Sequence, residues 1–398
     1  GCSMGKDGRR QLMESIERKR NSKIICYITS DRPSLPAQIA GDVVSILHEH
    51  IIRILPEDRN KLDLFIYSRG GDSDVPWSVV SMFREYCQEG SFSVLIPYRA
   101  HSGATVIALG ADEIVMTKKA ELGPIDITIG RGPYNPTRGA EQQSLPVSVE
   151  DVMGYFSLLK KVGCERPDET MTGFECLTRK VHPLVLGTVS RLLEQTQLVA
   201  LRLLSTRANA FTEDKNREIV KRLSSEIFSH RHTISRTEAI TNLGLDQVVS
   251  TEKAEIDDEM WALFVEYRDL FQFDDPFRPD DYLINNQLDE YCWTNLPIAC
   301  VESTSRLDVA KQDVRVRRVP MIPPQVQLNV NIQNLPQINI QNLPPNQPLA
   351  MLIQQIFETT MKPIIDHAAS KAAEAFIKSL PLAHFERTDY NLRWESEE

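Results

Sequence analysis

A serine sits in "YRAHSGATVIALGADEIVM", between His101 and Gly103, at the foot of an apolar stretch with helical spacing. A second short motif, "LFIYSRGGD", ends an apolar run in the glycine pair Gly70 and Gly71. Together they hold the parts of an acyl-transfer site. A serine on a strand-to-helix turn exposes its hydroxyl as a nucleophile. Glycines let backbone N–H groups approach an oxyanion closely, and the positive end of a helix adds to that field. Ser102 is the candidate nucleophile, and Gly70, Gly71 and Gly103 are the candidate oxyanion donors. Each motif alone has an ordinary use: a Ser-Gly pair opening a helix is an N-cap, and Gly-Gly marks a turn.

Both motifs depend on the elements that carry them. "KIICYITS", "KLDLFIYS", "SFSVLIPY" and "DEIVMTKK" are short apolar runs rich in β-branched residues, and amphipathic stretches separate them. Repeated strand and helix with short connections predicts a mainly parallel α/β layered domain. Ligands in such sheets lie outside the carboxyl ends of the strands, where both motifs fall. From Ser148 to Tyr267 the spacing is mostly helical, with a capping-box pattern at Ser235 and Glu238.

The C-terminal part differs in composition. The segment from Val319 to Phe357 has no charged residue and repeats "NIQNLP" at Asn331 and Asn339. Alternating Val326, Leu328, Val330 and Ile332 predict a strand with one apolar face. A helix is expected from Leu349 to about Ser379, interrupted at Pro363. The expected organisation is an N-terminal helix (1–22), the α/β domain (23–272), a linker (273–320), the Asn/Gln/Pro-rich repeat (321–348), the C-terminal helix (349–380) and a tail (381–398).

The chain has 398 residues, 41% of them hydrophobic and 25% charged, with a net charge of −10. This is ordinary globular composition, and the acidic balance excludes a general nucleic-acid binder. The cluster "RVRR" at Arg315 to Arg318 is short and reads as solvated linker. Seven cysteines without CxxC spacing suggest no zinc site and suit a reducing compartment. No apolar stretch approaches the roughly 20 residues of a membrane helix, and no signal-peptide layout opens the chain. The expectation is a cytoplasmic protein with no metal or organic cofactor.

Four stretches, "LFIYSRGGD", "PYRAHSGATVIALGADEIVMTKKAELGPID", "KVHPLVLG" and "SHRHTISRTEA", resemble the serine dehydrogenase proteinase family. That family is a branch of the Clp-protease and crotonase fold, related to signal peptide peptidase A. The resemblance runs from the first helix to Tyr267 and is most specific from Ala100 to Asp126. It implies a Clp-like layered sheet, a nucleophile at Ser102, an oxyanion region at Gly70, Gly71 and Gly103, and a peptide or protein substrate. Relatives in this fold form rings or trimers, so a homo-oligomer is expected, with the C-terminal extension packing on another copy.

The general base is not where the Clp pattern puts it, because Asp126 occupies that place. The resemblance places the third triad member near Arg231, which His230 and His232 flank. The expectation is an exchanged arrangement, with His230 as base and Asp126 as its orienting carboxylate, since triads are defined by geometry and role. His182, before a helix-opening proline, is the next candidate. His101 and the pair Lys160 and Lys161 stay open, His101 being read as lining the cleft. Two other functions remain alternatives: a crotonase-type enzyme acting on an acyl-CoA, and a catalytically silent scaffold. Arg69, where Clp proteases carry a proline before the glycine pair, keeps the scaffold open.

Overall fold

A computed structural model describes residues 5–87, 90–125, 128–129, 132, 134–138, 143–226, 233–321 and 349–397. The chain divides into two compact units. The first comprises residues 1–278, 294–313 and 390–398, and the second 279–293 and 314–389.

The first unit is built on the expected parallel strands: β1 (Lys23–Thr29), β2 (Lys61–Tyr67), β3 (Ser91–Ile96) and, beyond the two-residue β4 (Arg99–Ala100), β5 (Glu113–Met116). They lie side by side in parallel register, Ile25 opposite Leu64 and Leu64 opposite Val94. Each is buried along nearly its whole length. This explains the near-continuous apolar runs, because a parallel strand covered on both faces has no polar side to show. Between the strands run α2 (Val43–Arg53), α3 (Val75–Tyr86) and the fully buried α4 (Gly103–Leu109). α1 (Gly5–Arg20) precedes them.

A second small sheet sits at the carboxyl ends. In it β6 (Glu121–Leu122) lies between β4 and β7 (Ile234–Ser235), with Ile234 opposite Leu122. The chain between β6 and β7 is mostly helical: α5 (Val149–Lys161), α6 (Pro167–Thr178), α7 (Pro183–Ser205) and α8 (Glu213–Lys221). After β7 come α9 (Arg236–Thr241), β8 (Val248–Ser250) and α10 (Asp257–Leu270). The Ser235 hydroxyl accepts from the Glu238 N–H at 3.2 Å, as the capping pattern predicts. β8 adds a parallel strand beside β5 that the helical reading of this region missed. On one face of the sheet, Ile24, Ile28, Phe65 and Leu95 pack with Met13 and Ile16 of α1 and Leu263 and Tyr267 of α10.

The expected linker over 273–320 is replaced by structure. A short helix α11 (Pro279–Asn285) precedes two long strands, β9 (Glu290–Ser303) and β10 (Arg306–Pro320). β9 pairs antiparallel with β1, Tyr27 opposite Val301. The RVRR cluster lies on β10, where Val314 and Val316 are buried while Arg315 and Arg317 face out. These arginines meet carboxylates, Arg315 with Glu290 and Arg317 with Glu386, which accounts for the cluster without a phosphate ligand.

The tail is likewise a strand, β11 (Leu382–Glu397), and the sheet order is β8–β5–β3–β2–β1–β9–β10–β11. The C-terminal helix appears as α12 (Leu349–Ile356) and α13 (Lys362–Ser379), joined by a π-turn at Phe357–Met361. Pro363 falls in the first turn of α13, where its missing N–H costs nothing. The expected strand over 326–332 lies outside the described residues.

Candidate active site

Ser102 occupies the N-cap place of α4, yet its side chain caps nothing. Its backbone stands at φ 49°, ψ −116°, a region that costs a non-glycine residue on the order of 1–3 kcal/mol. An ordinary N-cap serine is extended and spends its hydroxyl on the helix. This one does neither.

The glycine pair lies against that turn. A Cβ built on Gly70 would stand 2.6 Å from the Cβ of Ser102, 2.8 Å from the His101 carbonyl oxygen and 3.1 Å from the Gly103 nitrogen. Only a glycine fits there, and its φ of +101° requires one as well. A Cβ on Gly71 would fall 2.5 Å from the backbone nitrogen of Ile39. One on Gly103 would stand 3.6 Å from the Gly71 nitrogen. The three glycines and Ser102 therefore form one cluster.

Backbone bonds hold it in place. The Ile39 N–H donates to Gly70 O at 2.8 Å, and the Asp72 N–H donates to Ile39 O at 2.9 Å. The His101 N–H donates to Ser68 O at 3.0 Å. Ser68 Oγ accepts from Thr29 Oγ1 at 2.8 Å and from the Gly70 N–H at 3.1 Å. The Gly70 N–H is thus engaged. The ladder with Ile39 leaves the Gly71 N–H without a partner among the described residues, and the Gly103 N–H is the first orphan donor of α4. Two backbone N–H groups, those of Gly71 and Gly103, therefore stand close to a serine on a strained turn.

His101 leads away from the cluster. Its Nε2 lies 3.0 Å from Glu121 Oε1, and its ring packs where Gly123 has no side chain. Glu121 also accepts from Arg99 Nε at 3.1 Å. Burial, the largest influence on the Glu121 carboxyl, works to raise it. The bonds and charges of His101 and Arg99 outweigh burial and hold the carboxyl below its usual range. Glu121 was not singled out in the sequence. Its partner lies 20 residues away and is brought to it only by the pairing of β4 with β6.

The remaining candidates fall elsewhere. His182 is the N-cap of α7: its Nδ1 accepts from the Leu184 N–H at 3.2 Å, and its ring stacks on Tyr134 at 4.6 Å. Lys160 and Lys161 end α5, the usual solvated place for cations in a last turn. His230 and Asp126 lie outside the described residues, as does His232. No group of three or more metal-ligating side chains is found among the described residues.

A parallel α/β sheet with a serine on a strained strand-to-helix turn beside paired glycines is a ClpP-like arrangement. Residues 4–153 match the family described as ClpP-like SDH-type serine proteinase. Two uncharacterized proteins of Methanocaldococcus jannaschii are similar over a longer span. MJ1495 is 25% identical over 245 residues, covering 60% of this chain and 70% of the relative. MJ0137 is 26% identical over 246 residues, covering 60% and 72%. A solved structure of a mutant of the 1510-N membrane-bound stomatin-specific protease shares 12% identity with a TM-score of 0.32, covering 56% of this chain and 79% of that one.

Proposed function

We propose that the chain is a serine peptidase acting on peptides or unfolded protein through an acyl-enzyme at Ser102. The Ser102 hydroxyl attacks the scissile carbonyl while a histidine takes its proton. The carbonyl oxygen gains the charge and turns toward the N–H groups of Gly71 and Gly103, with Gly70 admitting the close approach. The histidine then protonates the leaving amine, and water repeats the sequence to release the acid. The observation that carries this reading is the uncapped, strained Ser102 packed on Gly70.

For the base we retain His230 with Asp126. His101 with Glu121 is the second pair, favoured by the 3.0 Å hydrogen bond between them. His182 ranks last, because its Nδ1 already caps α7. We place the enzyme in the cytoplasm, where its six described cysteines, all free, stay reduced. We also infer a homo-oligomer assembled through the C-terminal helices. No helix among the described residues is long and apolar enough to cross a membrane.

A fluorophosphonate probe tests the nucleophile. We expect covalent labelling of the full chain at Ser102 and none in Ser102→Ala of unchanged circular dichroism. A folded Ser102→Ala protein that still hydrolyses an unfolded substrate at the parent rate rejects the reading. Replacing the true base lowers the rate by about 10² to 10⁴, so His230→Ala and His101→Ala measured side by side separate the two pairs.

A further inference from the structure

A cavity of about 510 Å³ opens in the first unit, and its lining includes neither Ser102 nor Gly70, Gly71 or Gly103. Its cationic walls follow the carboxyl ends of four parallel strands: Arg32 after β1, Arg69 after β2, Arg99 after β3 and Lys119 after β5. Arg268, in the last turn of α10, supplies a fifth cation. Ligands of open parallel sheets bind at this end, and the volume is that of a small-molecule site. Two carboxylates, Asp31 and Asp274, share the lining.

The cations are unevenly satisfied. Asp31 serves both Arg69 (3.0 Å) and Arg99 (2.7 Å) and also accepts from the Tyr67 hydroxyl at 2.7 Å, while Arg99 also meets Glu121 at 3.1 Å and Arg32 meets the largely exposed Asp275 at 3.4 Å. Burial works most strongly to raise the Asp31 carboxyl, but these donors hold it below its usual range, so it stays charged. Half of the Arg69 side chain remains exposed. Arg268 meets Asp274 at 3.3 Å, but that carboxylate is 79% exposed and well screened by water. Lys119 meets no carboxylate among the described residues. Its ammonium rests on aromatic faces, 4.4 Å from the Tyr98 centroid and 5.3 Å from that of Trp261. Such contacts fix a cation without neutralising it.

We propose that this cavity is a binding site for a compact polyanion, the pyrophosphate group of a small soluble phosphate ester. Arginine forks match phosphate oxygens bidentately and a lysine adds a point charge. Five cations from five places in the fold line the cavity against two carboxylates, Asp31 and Asp274. A stacked base is not the recognised feature, because Arg99 and Lys119 already lie over Tyr98, and Phe273 stacks on Tyr67 and Phe271.

Calorimetric titration of the full chain with sodium pyrophosphate tests the site, with acetate and orthophosphate alongside. Saturable binding of one pyrophosphate per chain is expected, at least about tenfold tighter than acetate. Lys119→Met and Arg268→Met lie outside the Ser102 cluster, and each should weaken pyrophosphate at least about tenfold, the loss of one charge-assisted contact. Circular dichroism confirms that each variant folds. Absence of saturable binding, acetate binding as tight as pyrophosphate, or affinity unchanged in both folded variants overturns the proposal. The readout needs no hydrolysis, so it stands or falls apart from the peptidase reading.

Discussion

The backbone of Ser102 carries a cost that its side chain does not recover, since the hydroxyl makes no capping bond. Such strain persists where the surrounding structure over-determines it, and here Gly70 and the His101 carbonyl crowd the turn. Ser102→Gly removes the penalty at φ 49°, less the larger entropy of a glycine in the unfolded chain. We expect it to raise stability by about 1 kcal/mol in denaturant titration while labelling disappears. A lower midpoint than the parent would show the turn unstrained. Gly71→Ala tests the other side of the cluster. Its methyl would enter the Ile39 backbone, which cannot swing away like a side chain, so a loss of about 3 kcal/mol or more, or failure to fold, is expected. A parent-like melting curve would refute that packing. The cluster was legible in the sequence because its members are glycines and a serine in two short local motifs. Glu121 was not, because only the pairing of β4 with β6 makes it the partner of His101.

At the scale of elements, α2 is tied to the turn between β9 and β10 by a buried histidine. His50 Nδ1 lies 2.8 Å from Ser303 Oγ, and its Nε2 lies 2.9 Å from Asp308 Oδ2. Burial is the largest influence and, with Arg306 and Arg53 nearby, it outweighs Asp308 and pushes the imidazole down to about 4 from an ordinary 6.5. Between those two values the unfolded chain holds a proton on this histidine that the folded chain does not. Unfolding takes up that proton, so stability falls as pH drops from 6.5 toward 4 and levels off below. The full loss is on the order of 3 kcal/mol. Asp308 acts in the same sense at lower pH: its depressed carboxyl gives stability that is lost as pH falls through its folded value. Urea midpoints measured between pH 7 and 4 should show this slope, and His50→Gln should flatten it. An unchanged slope in that variant would assign it to other groups. His50 sits about 250 positions along the chain from Ser303 and Asp308, so no local pattern announces the cluster. The strands β9 and β10 were obscured for a related reason. Their inward residues alternate with charged outward ones, as Val314 and Val316 do with Arg315 and Arg317, and charge density reads as linker until the alternation is weighed.

For the whole molecule, the open question is what covers the C-terminal helices. Ile353 and Phe357, four residues apart at helical spacing, are 60% and 48% exposed, and Met351 is 66% exposed. Exposed apolar surface on this scale marks an interaction face. The mixed charges of α13, with Lys362, Asp366, Lys371, Glu374 and Lys378, suit a protein surface better than an anionic membrane, which selects lysine and arginine. Truncating the chain after Pro320 is the obvious test, but it also removes β11. That strand bonds Glu395 to Lys311 at 2.7 Å and the Trp394 indole N–H to Asp42 at 2.8 Å. Loss of mass would then follow from a damaged sheet as readily as from a lost interface. Arg318 reaches the Leu382 carbonyl at 3.1 Å, so the end of β10 lies beside the start of β11. A short Gly-Ser loop replacing residues 322–380 should therefore keep β11 paired while deleting the repeat and both helices. We expect light scattering to show fewer chains per particle in this variant, with the parent's circular dichroism for the α/β part. An unchanged number of chains would move the interface to the first unit and leave the exposed helix face to a different partner.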